Sequence, residues 1–190
     1  MFDLLPNILT LLRIAVVPVV ALLFFIPTEW SSWAAATLFI LACITDYLDG
    51  YFARLLNQQT ALGTFLDPIA DKLLVSSTLL LLAGFDRIQG ISLIPAVVIL
   101  CREVLVSGLR EFLAEIKVSI PVTRLAKWKT AVQMVALTLL VANAPQVDST
   151  WLALLGLIGL WLAAALTLIT GYDYLKAGLP HILGCPPDAP

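Results

Sequence analysis

The chain is poor in charge, in cysteine and in histidine. Of its 190 residues, 13% are charged, three are cysteines and one is histidine, and the net charge is −2. Ordinary soluble domains carry about 25% charged residues, so the composition argues against a freely soluble protein. The basic residues form no stripe of the kind that binds nucleic acid, so we expect no such partner. Cys43, Cys101 and Cys185 are scattered and fit neither a disulfide framework nor a CxxC metal site.

What the chain does contain is long apolar runs. Sixty-one per cent of residues are hydrophobic, and the mean hydropathy is +0.99. A membrane-spanning helix needs about 20 mostly apolar residues, and these runs are continuous rather than alternating, which favours helices over barrel strands. The sequence therefore predicts an all-α integral membrane protein with six transmembrane helices. Their expected limits are roughly residues 8–27, 33–53, 65–84, 91–109, 128–145 and 150–171, within one membrane domain (1–177) that precedes a short Pro-rich tail (178–190).

The distribution of positive charge predicts the orientation of these spans. Of the eleven lysines and arginines, only Arg87 falls in a connection on one side, and the other ten lie on or face the opposite side. Loops rich in Lys and Arg stay in the cytoplasm. Both termini are therefore expected on the cytoplasmic side.

Four aspartates lie where a membrane protein should have few charges. Asp46 and Asp49 share a face at the inner end of the second span, and Asp67 and Asp71 share a face at the start of the third. A single aspartate near a helix end is usually an interface residue or a cap. Each carboxylate at the bilayer centre costs about 2.5–3.5 kcal/mol. We expect the two spans to be antiparallel neighbours whose carboxylates converge on a neutralising partner.

Two divalent cations would neutralise the four carboxylates. An all-oxygen ligand set favours Mg²⁺ or Mn²⁺, and two such ions suit phosphoryl transfer. Nearby small residues, Gly50, Ala53 and Gly63, would let a phosphate approach the backbone, and Arg54 has the forked geometry that binds a pyrophosphate.

The segment that runs from Asp46 to Asp71 resembles the signature of the CDP-alcohol phosphatidyltransferases. It matches D-x2-D-G-x2-A-R-x8-G-x3-D-x3-D at every defined position. The resemblance extends over about residues 5–140, and it is greatest to the members that use sn-glycerol 3-phosphate as acceptor. It implies six transmembrane helices, a homodimer, and an active site that opens to the cytoplasmic side of a bacterial cytoplasmic membrane.

The same resemblance implies a reaction and the residues that serve it. The phosphatidyl group of CDP-diacylglycerol would pass to sn-glycerol 3-phosphate, which gives phosphatidylglycerol phosphate and CMP. Two Mg²⁺ (or Mn²⁺) ions would be bound by the four aspartates, of which Asp71 would also be the general base. CDP-diacylglycerol would contact Gly50, Ala53, Arg54 and Gly63. Thr10 is either a further part of this nucleotide pocket or a helix-packing residue.

Basic residues also crowd one cytoplasmic connection: Arg110, Lys117, Arg124, Lys127 and Lys129. One interpretation is topological, because positive charge collects in cytoplasmic loops. The other is a pocket for the acceptor phosphate, built from Arg110, Lys127 and Lys129 and completed by Arg102, since charged donors bind a dianion strongly.

Three other functions compete with this one. The first is the same family with a different acceptor, such as inositol phosphate or serine. The second is an intramembrane prenyltransferase, which also uses an Asp-rich Mg²⁺ site but not this pattern of Gly, Ala and Arg. The third is an ion-coupled transporter with buried carboxylates, although the sequence shows none of the broken helices in corresponding halves that favour it.

Overall fold

A computed structural model describes residues 5–56, 61–118, 124–145, 147 and 149–182. Within these ranges, the description omits the side chains of residues 5–9, 47–56, 61, 62, 64, 67 and 124. The described chain is helical and contains no strand, which confirms the all-helical part of the predicted fold class.

Six α-helices and one short 3-10 turn make up the described chain. The 3-10 turn, Gly90–Ser92, directly precedes the fourth helix. The helices are α1 (Leu5–Phe24), α2 (Glu29–Leu56), α3 (Ala61–Gly84), α4 (Leu93–Glu115), α5 (Arg124–Ala142) and α6 (Thr150–Ile182). Their Leu- and Ala-rich sequences favour helix, since neither residue type loses much side-chain freedom there.

The helices form a ring in which each helix packs against two neighbours. Around the ring, α1 packs on α2 and α3, α4 on α3 and α6, and α5 on α6 and α2. A further contact between α3 and α5 crosses the ring. Among the described residues, α2 and α3 pack on each other much less than each packs on α1. The prediction that they are direct neighbours is therefore wrong for this part of the chain, because α1 lies between them.

Apolar side chains fill the interior and also cover the outside of the bundle. Phe39, Leu82 and Ile99 are completely buried. Large apolar residues such as Leu22 and Leu80 point outward and are at least two-thirds exposed. Soluble monomers rarely show extended apolar surfaces, so the outer surface is suited to lipid.

The helix limits differ from the predicted spans mainly at the chain's C-terminal end. The sixth span was expected to end near residue 171, with the Pro-rich tail beginning at residue 178. Instead α6 continues to Ile182 and contains Pro180. Pro180 has no backbone N–H to donate to the carbonyl oxygen four residues earlier, so the last turn of α6 has one hydrogen bond fewer. Gly178 lies in this last part of α6 and is buried against α4.

Three of the described helical segments are long and apolar enough to cross a membrane: Gly90–Glu115, Leu125–Ala142 and Thr150–Ile182. Thr10–Phe24 is a shorter apolar helix. Charged residues in the C-terminal half of α2 and the N-terminal half of α3 lower the hydropathy of those helices. The described chain is thus a helical bundle with at least three candidate membrane spans.

Candidate active site

Polar contacts divide the bundle into two ends. At one end, the C-terminal parts of α1, α3 and α5 meet, because Arg87, just after α3, lies over the ring of Phe24 and donates to the carbonyl oxygen of Val141. At the opposite end, ion pairs join α1 to α2 and α5 to the middle of α4, and a hydrogen bond joins α4 to α6. The candidate site lies at this second end.

Four side-chain contacts hold the site end together. Arg13 on α1 pairs with Asp46 on α2 (Nη1 to Oδ1, 2.6 Å), and Lys129 on α5 pairs with Glu103 on α4. On the other side of α4, Arg102 donates to Thr170 Oγ1 at 3.3 Å. The guanidinium of Arg110 lies 5.7 Å from the centre of the Tyr174 ring.

A cavity of about 170 Å³ opens between α3, α4 and α5 at this end. A second cavity of about 130 Å³, between α3 and α4, shares with it Asp71, Lys72, Arg102, Glu103 and Arg110. The larger cavity is lined in addition by residues of α5, among them Lys129 and Gln133. Because five residues line both, the two cavities are adjoining parts of one polar cleft.

Asp71 forms the α3 side of this cleft. The negative charges of Asp46 and Glu103 and the positive charges of Lys129 and Arg13 lie close enough to act on its carboxylate. Two of the four predicted metal-binding carboxylates, Asp46 and Asp71, are therefore brought near each other from separate helices. The side chains of Asp49 and Asp67 lie outside the described residues.

The cleft carries more positive than negative charge. Lys72, Arg102, Arg110 and Lys129 line it, against the carboxylates Asp71, Glu103 and Glu111. Lys129 is almost fully buried, at 4% exposed. Burying a lysine is costly unless it is paired, and its partner Glu103 supplies one negative charge. Room and positive charge are thus combined in the same place, which is what a small anionic ligand requires.

The residues predicted to bind the acceptor phosphate divide into two groups. Arg102, Arg110 and Lys129 line the cleft, whereas Lys127 is exposed and does not appear in its lining. Successive helical residues are rotated by about 100°, so Lys127 and Lys129 point in very different directions and only one of them can face the cleft. The structure thus places Arg102, Arg110 and Lys129, but not Lys127, in the lining of the cleft, and a role for Lys127 in binding the acceptor stays a prediction.

The residues predicted to bind the lipid nucleotide are only partly described. Thr10 is 1% exposed and lies on α1 one turn before Arg13, and Gly63 is buried near the start of α3. Gly50, Ala53 and Arg54 belong to helix α2, but their side-chain surroundings lie outside the described residues.

The described donor set fits a divalent metal, although it does not complete a site. No group of three or more His, Cys, Asp or Glu side chains is found within the part of the chain that the structure describes. Asp46 and Asp71 nevertheless offer carboxylate oxygens, and Glu103 adds a third negative charge near Asp71. Like charges held together favour a bound cation, and oxygen ligands select Mg²⁺ or Mn²⁺ over zinc or copper.

Comparison with known proteins decides the family. The family model for CDP-alcohol phosphatidyltransferase matches residues 3–169. The chain belongs to the CDP-alcohol phosphatidyltransferase family. Three relatives carry the name CDP-diacylglycerol–glycerol-3-phosphate 3-phosphatidyltransferase. The Rickettsia typhi protein is 51% identical (91% of this chain, 96% of the relative), the Pseudomonas fluorescens protein 46% (93% and 91%), and the Cereibacter sphaeroides protein 41% (93% and 96%).

Several residues that line or support the cleft of this CDP-alcohol phosphatidyltransferase were not among the predicted site residues. Lys72 and Gln133 line it, and Glu103 both lines it and pairs with Lys129. Arg13, which is 1% exposed, pairs with Asp46. A signal existed for Lys72 and Arg13, because a basic residue inside an apolar run needs a partner. Gln133 is uncharged and gave no such signal.

Proposed function

We propose that this enzyme transfers the phosphatidyl group of CDP-diacylglycerol to sn-glycerol 3-phosphate, which produces phosphatidylglycerol phosphate and CMP. The observation that carries the proposal is the cleft in which Asp71 faces Arg102, Arg110 and Lys129. The acceptor carries a hydroxyl, which must lose its proton, and a phosphate, which must be bound by positive charge. The names of the relatives support the same reaction.

Asp71 acts as the general base. The acceptor hydroxyl oxygen attacks the lipid-side phosphorus, its proton passes to the Asp71 carboxylate, and the bond from that phosphorus to the bridging oxygen breaks so that CMP leaves. Asp71 is suited to this role because it lines the cleft beside the cations. A base must lie within hydrogen-bond reach of the proton that it removes.

Arg102, Arg110 and Lys129 bind the phosphate of the acceptor. Arg102 is oriented by Thr170, and Lys129 by Glu103. Each of these side chains keeps donors beyond those used by its protein partner, because an arginine has five N–H donors and a lysine three. A dianionic phosphate would accept such charged hydrogen bonds at about 1.5–3 kcal/mol each.

Asp46, Asp49, Asp67 and Asp71 would hold two Mg²⁺ or Mn²⁺ ions. The family is generally dependent on divalent metals, and the paired negative charges at Asp46 and Asp71 support a cation here. When bound, such ions stabilise the charge that develops on the transferring phosphoryl group. Gly50, Ala53, Arg54, Gly63 and Thr10 form the site for the CDP group of the donor.

The enzyme crosses a bacterial cytoplasmic membrane six times, with both termini and the cleft on the cytoplasmic side, and acts as a homodimer. The asymmetry of basic residues supports this orientation. Arg87, the basic residue predicted on the side opposite to the cytoplasm, lies at the end of the bundle opposite to the cleft, which agrees with this orientation. The dimer rests on the family resemblance alone.

The test is an assay of CMP release. Purified protein in detergent micelles is supplied with CDP-diacylglycerol, Mg²⁺ and, one at a time, sn-glycerol 3-phosphate, inositol phosphate and serine. We expect CMP release with sn-glycerol 3-phosphate and the formation of phosphatidylglycerol phosphate. Release that depends on inositol phosphate or serine instead would contradict the proposed acceptor but not the family.

A further inference from the structure

Gln133 has a buried amide whose oxygen has no partner. Its side chain is 1% exposed, and among the described residues no donor lies within hydrogen-bond distance of its Oε1 atom. Buried polar atoms in folded proteins almost always have a partner. An exception of this kind indicates either a bound water or a ligand that completes the hydrogen bond.

The position of Gln133 in the cleft indicates a ligand. It lines the larger cavity together with Asp71, Arg102 and Lys129. On α5 it follows Lys129 by four residues, so it lies on the same face and about 6 Å deeper in the bundle. Lys129, a cation that can hold a phosphate, is thus nearer the start of α5, and the amide oxygen of Gln133 lies deeper in the bundle.

The chemistry of the amide limits what it can recognise. An amide oxygen accepts a hydrogen bond from a hydroxyl, whereas it forms no hydrogen bond with an apolar group or with an ionised phosphate oxygen. In sn-glycerol 3-phosphate, the phosphate is bound by the cations and the attacking hydroxyl faces Asp71. The C2 hydroxyl, between them, is the one polar group of the acceptor that those residues leave without a protein partner.

We propose that Gln133 accepts a hydrogen bond from the C2 hydroxyl of the acceptor and thereby selects a vicinal diol phosphate over an acceptor that lacks this hydroxyl. The inference rests on the proposed function and adds a specificity residue to it. Because Gln133 holds the middle of the acceptor, it also positions the C1 hydroxyl toward Asp71. A site built to bond a hydroxyl rejects the analogue that lacks it, since its own buried group is left unpaired.

The experiment compares two acceptors that differ only at C2. Rates of CMP release are measured with sn-glycerol 3-phosphate and with 3-hydroxypropyl phosphate, for the wild type and for Gln133→Met, which keeps the length of the side chain. We expect the wild type to prefer sn-glycerol 3-phosphate by at least about tenfold in kcat/KM. In Gln133→Met that preference should fall to within about threefold, mainly through a higher KM for sn-glycerol 3-phosphate.

Thr138→Val is the matched control. Thr138 lies on the same helix, and its hydroxyl already donates to the carbonyl oxygen of Met134 at 2.8 Å. It faces an apolar groove between α2 and α5, away from the cleft. This variant should keep the wild-type preference between the two acceptors.

Several outcomes would overturn the inference. A wild type that uses both acceptors equally well, or a preference that persists in Gln133→Met, would exclude a hydrogen bond to the C2 hydroxyl. Should Gln133→Met not fold, Gln133→Glu takes its place, because it keeps an acceptor oxygen. It should retain the preference at a lower overall rate, and loss of the preference would contradict the inference. No CMP release with either acceptor is a different result, which would instead contradict the proposed function.

Discussion

Arg87 and Arg102 are both half-buried arginines, but they lie at opposite ends of the bundle and have different surroundings. Arg87 donates to the carbonyl oxygen of Val141, and its guanidinium lies 4.1 Å from the centre of the Phe24 ring. Phe85 packs edge-on against Phe24, with ring centres 5.4 Å apart. Burial lowers the pKa of Arg87 to about 10, so it stays protonated at neutral pH. Arg102, in contrast, donates to Thr170 Oγ1, lies with its Nη1 atom 3.8 Å from the carboxylate of Glu103, and borders the cleft.

The comparison distinguishes Arg87, whose cation is covered by other groups of the protein, from Arg102 and Lys129, which also face a cavity. At the Arg87 end, an aromatic ring and a backbone carbonyl cover the cation. At the cleft, Arg102 contacts Thr170 and Glu103, Lys129 pairs with Glu103, and both cations also face a cavity. Because the Nε atoms of Arg87 and Arg102 both lack a partner among the described residues, it is the cavity beside Arg102 and Lys129 that favours ligand binding at this end.

The largest expected effect comes from Asp71→Asn. Loss of the base and of a carboxylate ligand should lower kcat by about a thousandfold or more, while CDP-diacylglycerol binding is retained. The matched control is Asp86→Asn at the Arg87 end, where Asp86 is exposed with a positive φ of 59° that asparagine also adopts. Turnover by the variants and equilibrium binding of CDP-diacylglycerol check the prediction. Equal loss of donor binding and turnover would make Asp71 a metal ligand rather than the base.

The next largest effect distinguishes two lysines on one helix. Lys129→Met should raise the KM for sn-glycerol 3-phosphate by about ten- to a hundredfold, because it removes a charged hydrogen bond to the phosphate. Lys127→Met, the control two residues earlier, should leave this KM unchanged, since Lys127 is exposed and does not line the cleft. Steady-state kinetics with varied acceptor measure both. If the KM rises similarly in both variants, the basic residues act only through their general positive charge and not through direct contact with the acceptor phosphate.

The contrast between these lysines also shows which features could be predicted from the sequence and which could not. Long apolar runs predicted an all-helical bundle, and the aspartate signature predicted the family; both are confirmed. Helix order in space was not predictable in the same way: a short connection suggested that α2 and α3 are neighbours, but α1 packs between them. Lys127 and Lys129 have the same charge in the same stretch, so only the rotation of α5 about its axis separates them. Six membrane crossings and the metal ligands stay predictions.

At the opposite end, Arg87→Met should affect stability and not catalysis. It removes a charged hydrogen bond to a buried carbonyl, a contribution of about 1.5–3 kcal/mol, together with the contact to Phe24. The thermal midpoint in detergent should fall by several degrees, while kcat and both KM values of the folded enzyme stay within about twofold of wild type. If Arg87→Met specifically raises the KM for sn-glycerol 3-phosphate, acceptor binding is not confined to the end that contains the cleft.

The smallest expected effect comes from a glycine that lets Arg102 pass close to α6. A Cβ atom at Gly171 would lie 3.1 Å from Cγ and 3.4 Å from Nε of Arg102, so Gly171→Ala should displace the guanidinium by a few tenths of an ångström. We expect the KM for sn-glycerol 3-phosphate to rise by about two- to fivefold and the KM for CDP-diacylglycerol to stay unchanged.

Gly178→Ala is the control for this variant, because it crowds the same pair of helices without touching a cation. A Cβ atom at Gly178 would lie 3.0–3.1 Å from the Cδ atoms of Leu109, a fit as tight as that at Gly171. Both variants should therefore lower the thermal midpoint to a similar extent, since each forces α4 and α6 to adjust. Only Gly171→Ala should change acceptor kinetics. Equal kinetic effects would mean that the spacing of the two helices, and not the placement of Arg102, controls acceptor binding.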